Sequence, residues 1–256
     1  MRVVRAIAWN TLVEALRDKV LYLLLFFGLF LFGASRLLAP LALGETKRIT
    51  LDVGLSSISA FGCLIAIFVG HQLIFREVER KTLYFLFSRP IHRAQFVWGK
   101  FLGLYAILAL SVVLMGAMLA AVLVAGGHGV DLSLLQALVL ILVEMGILSA
   151  IAILIASFTS PILAGLFTLA GYLIGHGSGD LTELLARTSS PVGRGVVEGL
   201  RWILPRLDLY GELLPVLSGT GWSETQLGLA VAYGTVYGTA CLLLAGVILT
   251  RRELAL

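Results

Sequence analysis

The chain has 256 residues, 59% of them hydrophobic and 13% charged, with a net charge of +4 and a mean hydropathy of +1.00. Soluble domains carry about 25% charged residues, so this composition excludes one. It marks an integral membrane protein, in which a modest positive excess reads as orientation signal and lipid-headgroup contact rather than as a nucleic-acid patch.

Residues 53–75, 101–130, 145–179 and 225–250 contain no Asp, Glu, Lys or Arg. Each exceeds the roughly 20 residues that a helix needs to cross about 30 Å of hydrocarbon. They are apolar on all sides, without the alternation of a transmembrane barrel strand, so the expected class is an all-α polytopic membrane protein. Cys63 and Cys241 lie inside apolar runs and form no spaced pair. Neither a disulfide framework nor a metal site is indicated.

In chain order, residues 1–19 interleave charge with Val3, Val4, Ile7, Ala8, Leu12, Val13 and Leu16 at helical spacing. That predicts an amphipathic elbow helix on the membrane surface, with Trp9 as an interface anchor. The first apolar run follows charged residues and lacks a small-residue cleavage signature, so it is expected to remain as span one, residues 20–38. A polar loop, GETKRITLD, leads to span two at 53–75, with His71 and Gln72 near its end. After a basic block comes span three, 101–125, and a turn at GGHGVD. The 48 residues from 132 to 179 are too long for one helix. SFTSP at 157–161 is the natural break, because Pro161 lacks an amide donor and disfavours helix in the residue before it. Spans four and five result.

Residues 180–224 are amphipathic, interrupted by Pro205 and Pro215, and carry Trp202, Tyr210 and Trp222 as expected interface anchors. They read as a connector resting on or dipping into the outer leaflet, with a gate or a docking face for a periplasmic partner as the functional alternative. Span six covers 226–250, before the tail RRELAL. The elbow, the basic block and the tail hold 12 of the 19 Lys and Arg residues, which predicts both termini on the cytoplasmic side of a bacterial inner membrane. The whole chain, 1–256, is expected to form a single transmembrane domain: elbow 1–19, spans one and two within 20–75, a cytoplasmic loop 76–96, spans three to five within 97–179, the outer loop 180–224, and span six with its tail in 225–256.

The basic block, residues 75–100, holds six Lys or Arg against two Glu. It reads as helix, break at Ser88-Arg89-Pro90, helix. The first half mixes charge with Leu83, Phe85, Leu86 and Phe87, too apolar to stand free in cytosol, so it should lie on headgroups or fill a partner's groove. The order Glu77-x-Glu79-Arg80-Lys81-Thr82-Leu83, Ser88-Arg89-Pro90-Ile91-x-Arg93 and Phe96-x-x-Gly99-Lys100-Phe101-x-Gly103 resembles the cytoplasmic loop of type-2 ABC transporter permeases. NTLVEALRDKVLYLLL and LPRLDLYGELLPV resemble further segments of one branch of that family, which includes the permease of the nitrous-oxide reductase copper-maturation system. Lys81 departs from the Gly that many relatives have before the Thr.

The resemblance implies a coupling helix between spans two and three that docks on an ATPase subunit. Glu77, Glu79, Arg80, Lys81, Thr82, Leu83, Arg89, Pro90 and Arg93 would carry that contact. No G-x-x-x-x-G-K-[ST] phosphate loop occurs, so ATP and Mg are expected on a separate polypeptide and no cofactor on this chain. The family pattern implies two permeases with two ATPases, working as an exporter. GYLIG at 171–175, GTVYG at 234–238 and GKFLG at 99–103 permit close helix approach and are candidates for a dimer seam.

Glu144 stands alone at mid-span, where a carboxylate costs a few kcal/mol unless it pairs or meets water. It is either part of a polar transport path or a helix-packing acid. A pairing with His71 would need matching depths, so His71 reads as an interfacial or packing residue. An intramembrane enzyme would need a nucleophile with its base, paired acids or metal ligands, and few candidates exist. An ion-driven carrier would show inverted repeats, and none is evident. The remaining rival is a membrane scaffold that recruits an ATPase without transport.

Overall fold

The computed structural model describes residues 2–17, 20–38, 45–79, 93–177, 205–211 and 221–252, and among these all regular structure is helical. The helices are α1 (Arg2–Arg17), α2 (Val20–Leu38), α3 (Thr46–Glu79), α4 (Arg93–Ala125), α5 (Leu132–Ala156), α6 (Pro161–His176), α7 (Asp208–Gly211) and α8 (Glu224–Arg252). Four stretches among the described residues are long and apolar enough to cross a membrane: Thr46–Gly70, Gln95–Ala125, Leu132–Ala156 and Glu224–Leu249.

Helix α5 is the axis of the bundle, packed against α3, α4, α6 and α8. A helix apolar on every side has no face to offer water, and here protein covers most of it. Contacts fix the helix directions. Gly62 lies against Met145 and Gly70 against Ala152, so α3 and α5 run parallel. Gly116 meets Leu138 and Gly146 meets Tyr105, so α4 opposes α5, while Gly165 lies against Ile67, so α6 opposes α3. Gly234 packs on Val143 and Gly238 near Ala150, so α8 runs with α5. The end of α3, the start of α4, the end of α5, the start of α6 and the end of α8 therefore share one end of the bundle, here termed the inner end.

The break at 157–161 is a true reversal. Ser157 and Phe158 turn the chain, Ser160 is extended at φ −81° and ψ 162°, and Pro161 opens α6 where a missing amide costs nothing. The predicted polar loop GETKRITLD is instead helical from Thr46, which makes α3 34 residues long. Its charge is accommodated at the opposite, outer end, where Lys47 Nζ lies 2.5 Å from Asp131 Oδ2. Asp131 stands at the N-cap position of α5 without capping it, because its carboxylate is turned to Lys47.

Helix α1 buries Thr11 and leaves Trp9 67% exposed, and it lies against the first turns of α4. The glycines of GKFLG make that seat. A Cβ at Gly103 would sit 2.5 Å from Thr11 Cβ and 2.8 Å from the Ala8 carbonyl oxygen, and one at Gly99 would sit 2.8 Å from Ile7 Cβ. This motif and GTVYG are thus occupied by helix crossings within the chain, as is Gly175 of GYLIG, which lies against Leu207.

Within the connector after α6, residues 205–211 pack on the bundle. Leu207 is 0% and Tyr210 2% exposed, and the Tyr210 hydroxyl donates to the Ala230 carbonyl at 2.8 Å. Helix α6 has 16 residues and rises about 24 Å, and Leu207 of the following segment packs against Gly175 near its end. Trp222 is likewise partly buried against the core, its backbone N–H donating to Gln136 Oε1 at 2.9 Å. Gly221 precedes it at φ +69°, a left-handed conformation that suits glycine.

Candidate functional site: a buried polar junction

Most hydroxyls in the apolar helices turn back on their own backbone. Ser111 donates to Ile107 O, Ser149 to Gly146 O and Thr168 to Ala164 O, each three or four residues upstream, which satisfies the group without leaving its helix. Ser59 behaves differently. Its Oγ lies 3.1 Å from both Glu144 Oε1 and Oε2, across the α3–α5 contact, and 3.1 Å from the Tyr172 hydroxyl of α6. The Ser59 and Tyr172 hydroxyls are hydrogen-bonded to each other, and either can donate. His176, one turn beyond Tyr172, brings Nε2 to 3.5 Å from Glu144 Oε1, and the two rings on α6 lie 4.6 Å apart.

Glu144 therefore does not stand alone. It is 0% exposed and sits at the meeting point of three helices. A cavity of about 100 Å³ adjoins it, lined by Ser56, Ser59, Glu144, Tyr172, His176 and Tyr210. Apolar walls come from Leu55 and Ile141, and Gly211 closes the edge beside His176. The sequence points to Glu144 but not to its partners, which come from positions 59, 172 and 176. The one local signal is the spacing of Tyr172 and His176, four residues apart on one face of α6.

Of the predicted coupling residues, Glu77 and Glu79 lie on the last turn of α3 and Arg93 opens α4. Gly54 against Leu119 and Gly70 against Leu104 put these two helices in one antiparallel register, which brings Glu79 and Arg93 to the same inner end. Arg80, Lys81, Thr82, Leu83, Arg89 and Pro90 lie outside the described residues, as does the predicted break. The side chain of His71 also lies outside them. Lys100, the last cation of the block, is buried at 2% exposure, its Nζ 5.8 Å from the centre of the Phe96 ring.

A larger cavity, about 210 Å³, lies between α4, α5 and α8 and is bounded by Trp98, Phe101, Tyr105, Gly146, Gly234 and Leu242 among others. It is mainly apolar and holds no carboxylate, so it offers less chemistry than the junction at Glu144.

The family model for ABC-2 family transporter proteins matches residues 5–175. A protein of Pseudomonas aeruginosa described as "Probable ABC transporter permease protein NosY" is 36% identical over 118 residues, which cover 43% of this chain and 42% of that protein. The match spans about two-fifths of the relative's length. With more than half of its residues under the family model, and with long apolar helices bundled around α5, this chain belongs to the ABC-2 transporter family of membrane permeases.

Proposed function

We propose that the chain is the transmembrane permease subunit of an ATP-driven exporter, acting as a dimer with two separate ATPase subunits in a bacterial inner membrane. The observation that carries this reading is the family match across residues 5–175, which spans α1, α3, α4 and the segment between α3 and α4. In this reading α2 and α6 complete six spans, both termini are cytoplasmic, and residues 76–93 carry the coupling helix. The inner end of the bundle supports the orientation: α1, the end of α3, the start of α4 and the tail of α8 gather there, with the positive charge that cytoplasmic segments favour.

ATP and Mg would be held by the partner subunit. Closure of two ATPases around nucleotide would press on the segment between α3 and α4. Because α3 extends unbroken over 34 residues, it can carry that movement as a rigid lever toward the outer end, past the junction at Glu144. A polar, carboxylate-bearing cavity along that lever supports placing Glu144 on the transport path. Residues 205–211 and 221–223 fold back on the bundle, which favours a gate over a loosely resting connector at the outer end; a periplasmic partner on 180–224 is the companion proposal.

The test is to express the chain with its genomic neighbours, purify it in mild detergent through a tag on its tail, and ask whether a P-loop ATPase co-elutes. Equal stoichiometry with vanadate-sensitive hydrolysis is expected. A chain that elutes without any ATPase would overturn the reading and turn attention to an ion-driven carrier or an intramembrane enzyme.

A further inference from the structure

The cavity beside Glu144 has an unusual balance of hydrogen-bonding groups. Ser59 lies within hydrogen-bond distance of both Glu144 oxygens and of the Tyr172 hydroxyl, so the hydroxyls of α3 and α6 nearest the carboxylate are already engaged with one another. The Tyr210 hydroxyl is turned to Ala230. The space is faced by the remaining lone pairs of Glu144, the hydroxyls of Ser56 and Tyr172, and the imidazole of His176, each of which can accept a hydrogen bond. Among the described residues, no Lys or Arg lines it. The nearest nitrogen, His176 Nε2, stands at 3.5 Å, beyond the 2.7–2.9 Å of a charge-assisted hydrogen bond. A fully buried carboxylate with one shared hydroxyl donor is poorly compensated, and a buried charge calls for a counter-charge.

We infer that this cavity is a binding site for a small cation that donates hydrogen bonds, a primary ammonium group, with Glu144 as its counter-ion and Ser56, Tyr172 and His176 as acceptors. Three features select that chemistry. The carboxylate excludes anions. A space of about 100 Å³ admits an ammonium with a short alkyl arm and excludes bulky cations. Leu55 and Ile141 offer the alkyl arm an apolar wall. A quaternary ammonium, with no N–H to give, leaves the acceptors unmet and is rejected. The group arrives either on a free alkylamine or on a lipid headgroup such as phosphatidylethanolamine. The inference deepens the placement of Glu144 on a transport path, but binding is measured on the permease without ATPase, so its failure leaves the ATPase pairing untouched.

The experiment is scintillation-proximity binding of radiolabelled methylammonium to the full chain in phosphatidylcholine nanodiscs, whose headgroups have no N–H donors. Saturable binding is expected, displaced by ethylammonium and not by tetramethylammonium. Glu144→Gln keeps the shape and removes the charge, and should weaken binding at least about tenfold. Ile141→Phe leaves every polar group in place and fills the cavity, and should also abolish binding, which separates occupancy from folding; both variants are checked for monodispersity by size exclusion. Competition by added phosphatidylethanolamine would assign the ammonium to a lipid, and lack of competition to a free amine. Equal displacement by tetramethylammonium, or unchanged binding in Glu144→Gln, would overturn the assignment.

Discussion

Two helix junctions in this molecule solve the problem of close approach in opposite ways. At the inner end, α1 crosses α4 over Gly99 and Gly103, and contact is made by removing side chains until backbone meets backbone. Halfway up the bundle, α3, α5 and α6 meet over Ser59, Glu144, Tyr172 and His176, and contact is made by polar side chains that must satisfy one another in a medium without water. The first junction tolerates no added atom. The second is held by hydrogen bonds between side chains, and it leaves a cavity. A packed seam suits a rigid joint, and a polar junction with space beside it suits a site where something binds or moves.

The sharpest way to break this comparison is to add bulk to the dry seam. Gly103→Leu would drive a side chain into Thr11 and the Ala8 carbonyl, and should cost about 3 kcal/mol by overpacking, seen as a large fall in Tm or loss of monodisperse protein. Gly103→Ala should cost less than Gly103→Leu, since one methyl needs a smaller displacement of α1. At the polar junction, Glu144→Ala should cost about 2 kcal/mol, because Ser59 loses its acceptor and a void opens, whereas Glu144→Gln should cost well under that. If Glu144→Leu were more stable than either, the junction would be a packing site and the cavity incidental.

Smaller effects sharpen the picture at the outer end. Tyr210→Phe removes the donor to Ala230 and should lower stability by about 1 kcal/mol, read as a modest drop in Tm. The smallest effect is expected at Lys47, whose pair with Asp131 is solvent-exposed at 38% and 50%. Lys47→Ala should cost at most about 0.5 kcal/mol, fading as salt is raised.

The two junctions also differ in how far the sequence reveals them. The α1–α4 seam is written locally: GKFLG supplies glycines four apart, and the Val4, Ile7, Ala8 and Thr11 side of α1 supplies the facing stripe. What the sequence leaves open is the partner, since a second copy of the chain would use the same pattern. The polar junction is assembled from positions 59, 144, 172 and 176, and no periodicity links them. A serine in a membrane helix most often bonds its own backbone, as Ser111 and Ser149 do here, so Ser59 carries no mark of its different role. The reversal at Pro161 was legible because proline acts on the chain locally. The burial of Leu207 and Tyr210 was not, because it depends on Gly175 of α6 and Ala230 of α8, distant in sequence, rather than on the connector's own pattern. The helical extension of α3 through Thr46 was hidden by its charges, which read as loop until Asp131 is found beside Lys47.

The claim on which the rest depends is that the segment between α3 and α4 is the docking element for an ATPase. Its most direct test is to purify the ATPase-containing complex with the double charge reversal Glu79→Lys, Arg80→Glu and, separately, with Leu83→Pro, and to quantify the ATPase retained per permease. The account predicts that both variants insert in the membrane at normal levels and lose most of the ATPase. Full retention, with hydrolysis unchanged, would contradict it.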